Sequence, residues 1–268
     1  MKISVVIPTY NRNLLVRRAI DSVLAQRLQP DEIIVVDDGS DDDTVASLQG
    51  YKRRITLIVQ KNSGVSAARN RGIAAARGAW IAFLDSDDTW HPQKLLLQRD
   101  LHRKTPGLRW SHTGERWIRN GREIRQKRDH AKPEGDAFVE NLPFCKIAPS
   151  SVLIHRSLFT EAGCFDTALP VCEDYDLWLR FLRCAPVGLV DKPLVTKYAG
   201  HSQLSFMGYM MDYYRIIALM KQLPDEAVKE EIARKNEILK RGAQKHANPG
   251  MARFCESVAR KLREFDTL

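Results

Sequence analysis

The stretch Trp80–Trp90, WIAFLDSDDTW, drives a run of mostly apolar residues straight into three aspartates. Ile81 to Leu84 has the length and composition of a strand buried on both faces. Like charges at the end of such a strand call for a solvated turn or for a cation shared among them. Working outward, the same pattern stands three times upstream. ISVVI (Ile3–Ile7) is β-branched, is stopped by Pro8, and is followed by NLLVRRAIDSVLAQ, whose Leu15, Val16, Ala19, Ile20, Val23 and Leu24 form a helical stripe. Ile33–Val36 ends in Asp37 and Asp38 ahead of a short capped helix in DDDTVASLQ, and Ile55–Gln60 precedes SGVSAARNRGIAAARG, a third helix closed by Gly78. This alternation predicts an α/β fold built on a mostly parallel sheet flanked by helices. Polar clusters at Thr9–Asn11, Asp37–Ser40, Asn62–Gly64 and Asp85–Asp88 fall where strands end, and in open α/β sheets those carboxyl ends form the ligand crevice.

Beyond Asp88 the alternation lapses. A helical segment from Pro92 to about Lys104 leads into LRWSHTGERWIRNGREI, where Asn120-Gly121 predicts a hairpin. EDYDLWLRFLRC (Glu173–Cys184) is helical, VGLVDKPLVTKYAG reads as two short strands, and from about Gly208 the chain is wholly helical, with breaks near Pro224 and Asn248-Pro249-Gly250. At 268 residues, 44% hydrophobic and 28% charged, the chain fits one large α/β domain with an appendage or two modest domains, and wholesale disorder is not expected. No window approaches the roughly 18 consecutive apolar residues of a spanning helix. The opening KISVVIPTY is strand-like and unlike a signal peptide, so a cytoplasmic location is expected. Five scattered cysteines without a CxxC pair are expected to be reduced thiols, none catalytic. The net charge of +9 is uneven: Arg99 to Lys132 holds eleven Lys and Arg against four Asp and Glu. That run is either a solvated surface or a face for an anionic membrane or a phosphorylated substrate.

Asp-x-Asp alone is common in turns. Directly after a buried strand, Asp85, Asp87 and Asp88 converge at the crevice, where Mg2+ or Mn2+ suits carboxylate oxygens and retains sites for phosphate oxygens. Taken together, VVIPTYNR, VVDDGSDDDT, NSGVSAARNRG, IAFLDSDD and EDYDLWLR make the chain resemble glycosyltransferase family 2, the inverting nucleotide-sugar enzymes of GT-A fold, over roughly Lys2 to His201. The resemblance implies a Rossmann-like, GT-A type domain over 1–205, with a nucleotide-sugar half at about 1–105 and an acceptor half at about 106–205. A helical C-terminal extension, 206–268, follows. It further implies that Pro8, Thr9 and Tyr10 hold the nucleotide base with Asp38, that Arg69 faces the diphosphate, and that Asp85 with Ser86 lies near the ribose. Asp87, with Asp88, would reach the divalent metal, and His201 would supply it an imidazole ligand. Asp174 would be the general base with Glu173 beside it, and which of the pair acts stays open.

The residue types suit that chemistry. An acceptor hydroxyl is a poor nucleophile until a carboxylate takes its proton, a contribution of about 10² to 10⁴ in rate. The departing nucleoside diphosphate gathers negative charge that a metal and a guanidinium stabilise, so one base and one metal imply a single displacement with inversion. Each residue also has a plain structural alternative. Asp37, Asp38 and Asp41 to Asp43 could be turn and helix cap; Asp38 is taken as the nucleotide contact and the others as surface. Arg69 could simply be ion-paired, Glu173 and Asp174 could be an acidic helix start, and His201 a surface or core histidine. Tyr175, Leu177, Trp178, Phe181 and Leu182 form a packing face, with Trp178 able to approach an acceptor.

Neither a QxxRW motif nor membrane spans are found, which favours addition of one or a few sugars over processive synthesis. A nucleotidyltransferase would want a glycine-rich N-terminal loop where VVIPTYNR stands, and no GxGxxG follows the first strand as a dehydrogenase requires. A nucleic-acid binder would account for the basic run and leave the aspartates unexplained. The expectation is therefore transfer from a UDP-sugar to a hydroxyl of a glycan or glycolipid, in cell-surface polysaccharide or lipopolysaccharide-type synthesis. The partners are a nucleotide-sugar donor, a glycan or lipid-linked acceptor and, through the basic run, the anionic inner face of a membrane, with no nucleic acid.

Overall fold

The computed structural model describes residues 1–124, 131–199 and 210–265. Strands β1 (Ile3–Thr9), β2 (Glu32–Asp37), β3 (Thr56–Val59) and β4 (Trp80–Phe83) run parallel in the order β3-β2-β1-β4. They are connected by α1 (Asn13–Leu24), the short α2 (Thr44–Ser47) and α3 (Val65–Ala75). Side chains alternate across a strand, and both faces here are covered. Val6 joins Ile34, Phe83 and, from α3, Ala68 and Ile73 on one face; Val5 and Ile7 join Ile33, Val35 and, from α1, Val16, Ile20 and Val23 on the other. Helix α3 lies hard against β1 because Gly72 has no side chain: a Cβ there would fall 2.2 Å from Val6 Cγ1. Arg69, three residues earlier on the same helix face, is thereby held at the carboxyl edge of the sheet.

The sheet continues through β5 (Thr89–Trp90), α4 (Lys94–Lys104), β6 (Trp110–Arg119), β7 (Arg122–Ile124), α5 (Phe138–Asn141), β8 (Leu153–His155), α6 (Ser157–Ala162), α7 (Glu173–Cys184) and β9 (Gly188–Ala199). Its order extends as β4-β8-β6-β9-β5, with β6 and β9 parallel, the other pairs antiparallel, and β7 on the side of β6. The β6–β7 hairpin turns at Asn120 and Gly121, both with positive φ, as the Asn-Gly dipeptide predicts. The two short strands expected in VGLVDKPLVTKYAG are one strand, β9. Pro193 breaks the local pattern, but the ten-residue β6 offers a continuous partner, and register shifts on either side of Gly114 absorb the irregularity. Gly114 is the residue that permits this, since a Cβ there would sit 2.8 Å from the Lys192 carbonyl oxygen.

Trp178 stacks on Trp110 with ring centroids 5.7 Å apart and donates from Nε1 to the Ile147 carbonyl at 3.0 Å. It is buried in the core. Helices α8 (Met211–Met220), α9 (Glu226–Lys245) and α10 (Pro249–Phe265) follow, as the C-terminal pattern predicts. Asp225 caps α9 by accepting from Val228 N at 3.2 Å, and Pro249 opens α10. Ile216, Leu219, Val228 and Ile232 belong to the same buried cluster as Phe83, Trp110 and Trp178.

Beneath α4 lies a buried polar network. Lys94 Nζ donates to Gln98 Oε1 at 2.7 Å and sits 4.2 Å from the Trp90 ring. The His102 ring meets Ser111 Oγ at 2.9 Å, and His112 Nε2 donates to the Pro133 carbonyl at 2.7 Å. Burial holds both imidazoles at about 4, below the ordinary 6.5, so both are neutral when folded at neutral pH. An unfolded chain takes up those protons near pH 6.5, whereas the folded chain refuses them until about pH 4. Their contribution is therefore intact above pH 6.5 and lost as pH falls towards 4. Calorimetric melting from pH 7 to 4 should show His112→Gln losing stability less steeply than the parent; parallel profiles would exclude His112 as a source of the pH dependence.

Candidate functional site

The carboxyl ends of β1, β2 and β4 and the first turns of α3 and α7 face one cleft of about 890 Å³. Pro8, Thr9, Tyr10, Asp38, Arg69, Asp85, Ser86, Asp87, Asp88, Glu173 and Asp174 all line it. His201 lies outside the described residues. The structure thus brings together residues separated by more than 160 positions. For Pro8 to Asp88 it does so because parallel strands present their carboxyl ends on one side; Glu173 and Asp174 are tied in by the Arg69–Glu173 ion pair.

Arg69 is the hub. Its guanidinium, 3% exposed, places Nη2 2.7 Å from Asp85 Oδ1 and Nη1 2.6 Å from Glu173 Oε1. Desolvation works against the charge, but the two carboxylates more than reverse it and hold the guanidinium ionised. Burial raises the Asp85 carboxyl, and Arg69 followed by Lys197 overcomes that and draws it below its usual range. Glu173 moves the other way: burial and then the neighbouring Asp174 push it up against the pull of Arg69.

The turn after β4 is pinned by Ser150, just ahead of β8. Its Oγ donates to Asp88 Oδ2 at 2.6 Å and accepts from Asp85 N at 3.0 Å, while its carbonyl accepts from Trp90 Nε1 at 2.7 Å. Asp88 is 1% exposed, and its carboxyl is pushed up by burial, with Asp85 and Asp87 adding to the push and Lys197 opposing it. Lys197 Nζ, from β9, lies 3.4 Å from Asp88 Oδ2. Arg18 Nη2 donates to the Asp87 carbonyl at 2.9 Å and so holds the backbone between the two.

On α7, the left-handed Cys172 turns the chain so that Glu173 and Asp174 open the helix facing the cleft. Asp174 Oδ1 accepts from Tyr175 N at 2.7 Å, and Oδ2 faces the Cys145 thiol at 3.6 Å. Burial raises its carboxyl, partly offset by Arg69. Asp38 is committed to the loop before α3: Oδ1 accepts from Gln60 Nε2 and Ser63 N at 2.8 and 2.9 Å, and Oδ2 from Gly64 N at 2.8 Å. Asp37, expected at the surface, is fully buried and accepts from both the backbone and hydroxyl of Ser40, so it shapes the turn after β2. Thr9 Oγ1 is buried in the cleft wall without a partner among the described residues.

Ser150, Lys197 and Cys145 were not singled out by the sequence. Ser150 and Cys145 belong to no recognisable pattern, and Lys197 sits in a segment whose alternation suggests an ordinary strand. Among the described residues no three His, Cys, Asp or Glu side chains converge as a ready-made metal cage.

The sequence profile of "Glycosyl transferase family 2" matches residues 4–139. An uncharacterized glycosyltransferase of Rickettsia felis is 34% identical over 208 residues, 75% of this chain and 34% of that protein; the chain thus spans about a third of that relative's length. Among solved structures, S. aureus TarS in complex with UDP-GlcNAc superposes with a TM-score of 0.68 at 21% identity, covering 88% of this chain and 71% of that one. Mannosyltransferase PcManGT from Pyrobaculum calidifontis, in complex with GDP-Man and Mn2+, gives 0.66 at 16% identity and covers 99% of this chain and 82% of that one. Both share the GT-A type fold with this chain.

The geometry makes Arg69 a structural necessity as well as a wall of the cleft. Removing one partner of a buried ionic set leaves uncompensated charge, at a cost of about 3 to 5 kcal/mol. Arg69→Met should lose stability in that range in urea denaturation, and Arg69→Lys should recover only part of it, because an ammonium does not reproduce the planar fork. A loss below about 1 kcal/mol for Arg69→Met would contradict the bridging role.

Proposed function

The chain belongs to glycosyl transferase family 2, and we propose that it moves a sugar from a UDP-sugar to a hydroxyl of a glycan or glycolipid by a single displacement with inversion. The synthesis served is that of a cell-surface polysaccharide or lipopolysaccharide-type glycan. The observation that carries this reading is the convergence of two carboxylate groups on one cleft, Asp85–Asp88 after β4 and Glu173–Asp174 at the start of α7, joined by Arg69. A nucleotide base fits the wall of Pro8, Thr9, Tyr10 and Asp38, where the unpartnered Thr9 hydroxyl offers a hydrogen bond. The UDP-GlcNAc complex of TarS supports the uridine choice. In this reading 1–105 binds the donor, 106–205 the acceptor, and α8 of the extension reaches the cleft through Met211 and Arg215.

Asp174 is the general base. Its Oδ2 is opposed by a thiol, a weak donor, and burial raises its basicity. Glu173 is tethered to Arg69 and acts as the supporting carboxylate. Asp85 with Ser86 borders the ribose. The donor chemistry suits a divalent metal, since Asp87 and Asp88 line the cleft with carboxylate oxygens of the kind hard cations take. Asp87 with Asp88 would hold it, joined by His201. When bound, Mn2+ or Mg2+ supplies charge stabilisation for the departing diphosphate.

Of the basic run, Arg103, Lys104, Arg119 and Arg122 are exposed on α4 and the β6–β7 hairpin. Among the described residues no helix is long and apolar enough to cross a membrane. We read the enzyme as cytoplasmic with a peripheral contact on an anionic bilayer. Flotation with anionic liposomes should show association at low salt that weakens at moderate salt; no association at either would remove the membrane from the proposal.

The donor is tested by thermal unfolding with UDP or GDP, each with and without Mn2+; ligand at 100 times its dissociation constant stabilises by about 2.7 kcal/mol. A metal-dependent shift with UDP is expected, and no shift with either nucleotide would overturn the reading. Asp87→Asn should lose the metal-dependent part. Asp174→Asn should keep it while turnover falls by about 10² or more, and near-normal turnover would show that Asp174 is not the base.

A further inference from the structure

Lys197 is placed unusually for a lysine. It lies on β9 inside the cleft, its side chain is 18% exposed, and its ammonium stands among Asp85, Asp87, Asp88 and Glu115. Glu115 already has its own cation, since Lys132 Nζ donates to Oε1 at 2.7 Å and to the Lys146 carbonyl at 2.8 Å. That leaves Asp88 as the direct partner of Lys197, and the contact is loose. At 3.4 Å it exceeds the roughly 2.7 to 2.9 Å of a charge-assisted N–H···O bond, while Ser150 holds the same oxygen at 2.6 Å. A lysine carries its charge on a flexible four-carbon stem and can re-aim it without moving the strand.

We propose that Lys197 is the resident cation of the aspartate cluster: its ammonium neutralises Asp88 while the cleft is empty and turns to the diphosphate of an arriving nucleotide, ceding Asp88 to the divalent metal. The proposal rests on the nucleotide-sugar reading above and adds to it a competition. Lys197 and the metal contend for one carboxylate in the empty cleft, and both serve the diphosphate once it is bound. The enzyme should therefore retain a measurable affinity for UDP without metal, and it should bind metal weakly without nucleotide.

The test uses the full chain and the variants Lys197→Met, Lys197→Arg and Asp88→Asn/Lys197→Met, with melting curves to establish folding. Two equilibria are read: Mn2+ binding without nucleotide, from the free Mn2+ paramagnetic resonance signal, and UDP binding in EDTA, by calorimetry. Lys197→Met should bind Mn2+ about tenfold more tightly and UDP about tenfold more weakly, opposite signs that a merely structural lesion does not produce. Lys197→Arg should restore the metal-free UDP affinity, and the double variant should lose the gain in Mn2+ affinity. Both equilibria unchanged in Lys197→Met, or both weakened together, would overturn the proposal. Failure of the parent to bind UDP with Mn2+ present would instead overturn the donor reading, and the Mn2+ titrations would still decide whether Lys197 competes for Asp88.

Discussion

The two-pronged ion pair of Arg69 is the constraint from which the site follows. A guanidinium buried to 3% exposure is tolerable only when its charge and its donors are met. Here they are met by Asp85, sixteen residues away, and Glu173, one hundred and four residues away. The bridge fixes the end of β4 relative to the start of α7, and hence the distance between the two carboxylate groups of the cleft. Everything behind it serves that placement: Gly72 lets α3 approach β1, and the Phe165 ring, 5.1 Å from the guanidinium carbon, covers its face.

Charge in the cleft is distributed in pairs of graded strength. Lys132 takes Glu115, Lys197 leans on Asp88, and Arg69 takes Asp85 and Glu173. Asp174 meets its neighbour's amide and a thiol at 3.6 Å rather than a cation at ion-pair distance. A group meant to receive a proton is best placed where no strong donor already occupies it. On the proposed reading, that gradient leaves Asp174 as the carboxylate free to take the acceptor proton.

The parallel half of the fold was legible because its rules are local. Apolar runs with period two, helical stripes with period 3.6, and polar residues at strand ends are written in consecutive residues, and β1 to β4 with their helices follow them closely. The pattern puts Asp38 and Asp85–Asp88 at strand ends, and the cleft they line also holds Arg69, Glu173 and Asp174, to which only the family resemblance pointed. What escaped depends on partners distant in sequence. VGLVDKPLVTKYAG read as two strands because the pairing that joins them comes from β6, and Asp37 looked like surface because Ser40 satisfies it only once the turn has folded. Lys197 was passed over since a lysine in a strand is ordinarily solvated, and only the approach of β9 to the end of β4 makes it a buried cation.

The packing of the C-terminal helices bears on how the cleft behaves as a body. Lys235 of α9 donates to the Pro143 carbonyl at 2.6 Å, just before the loop that carries Cys145, and α8 shares the core of α7. Among the described residues, that loop and α7 are therefore packed onto the extension. Such continuity favours a single cooperative transition, in which binding free energy gained at the cleft is felt by the whole chain. The extension thus acts as a buttress for the wall formed by α7 and the Cys145 loop.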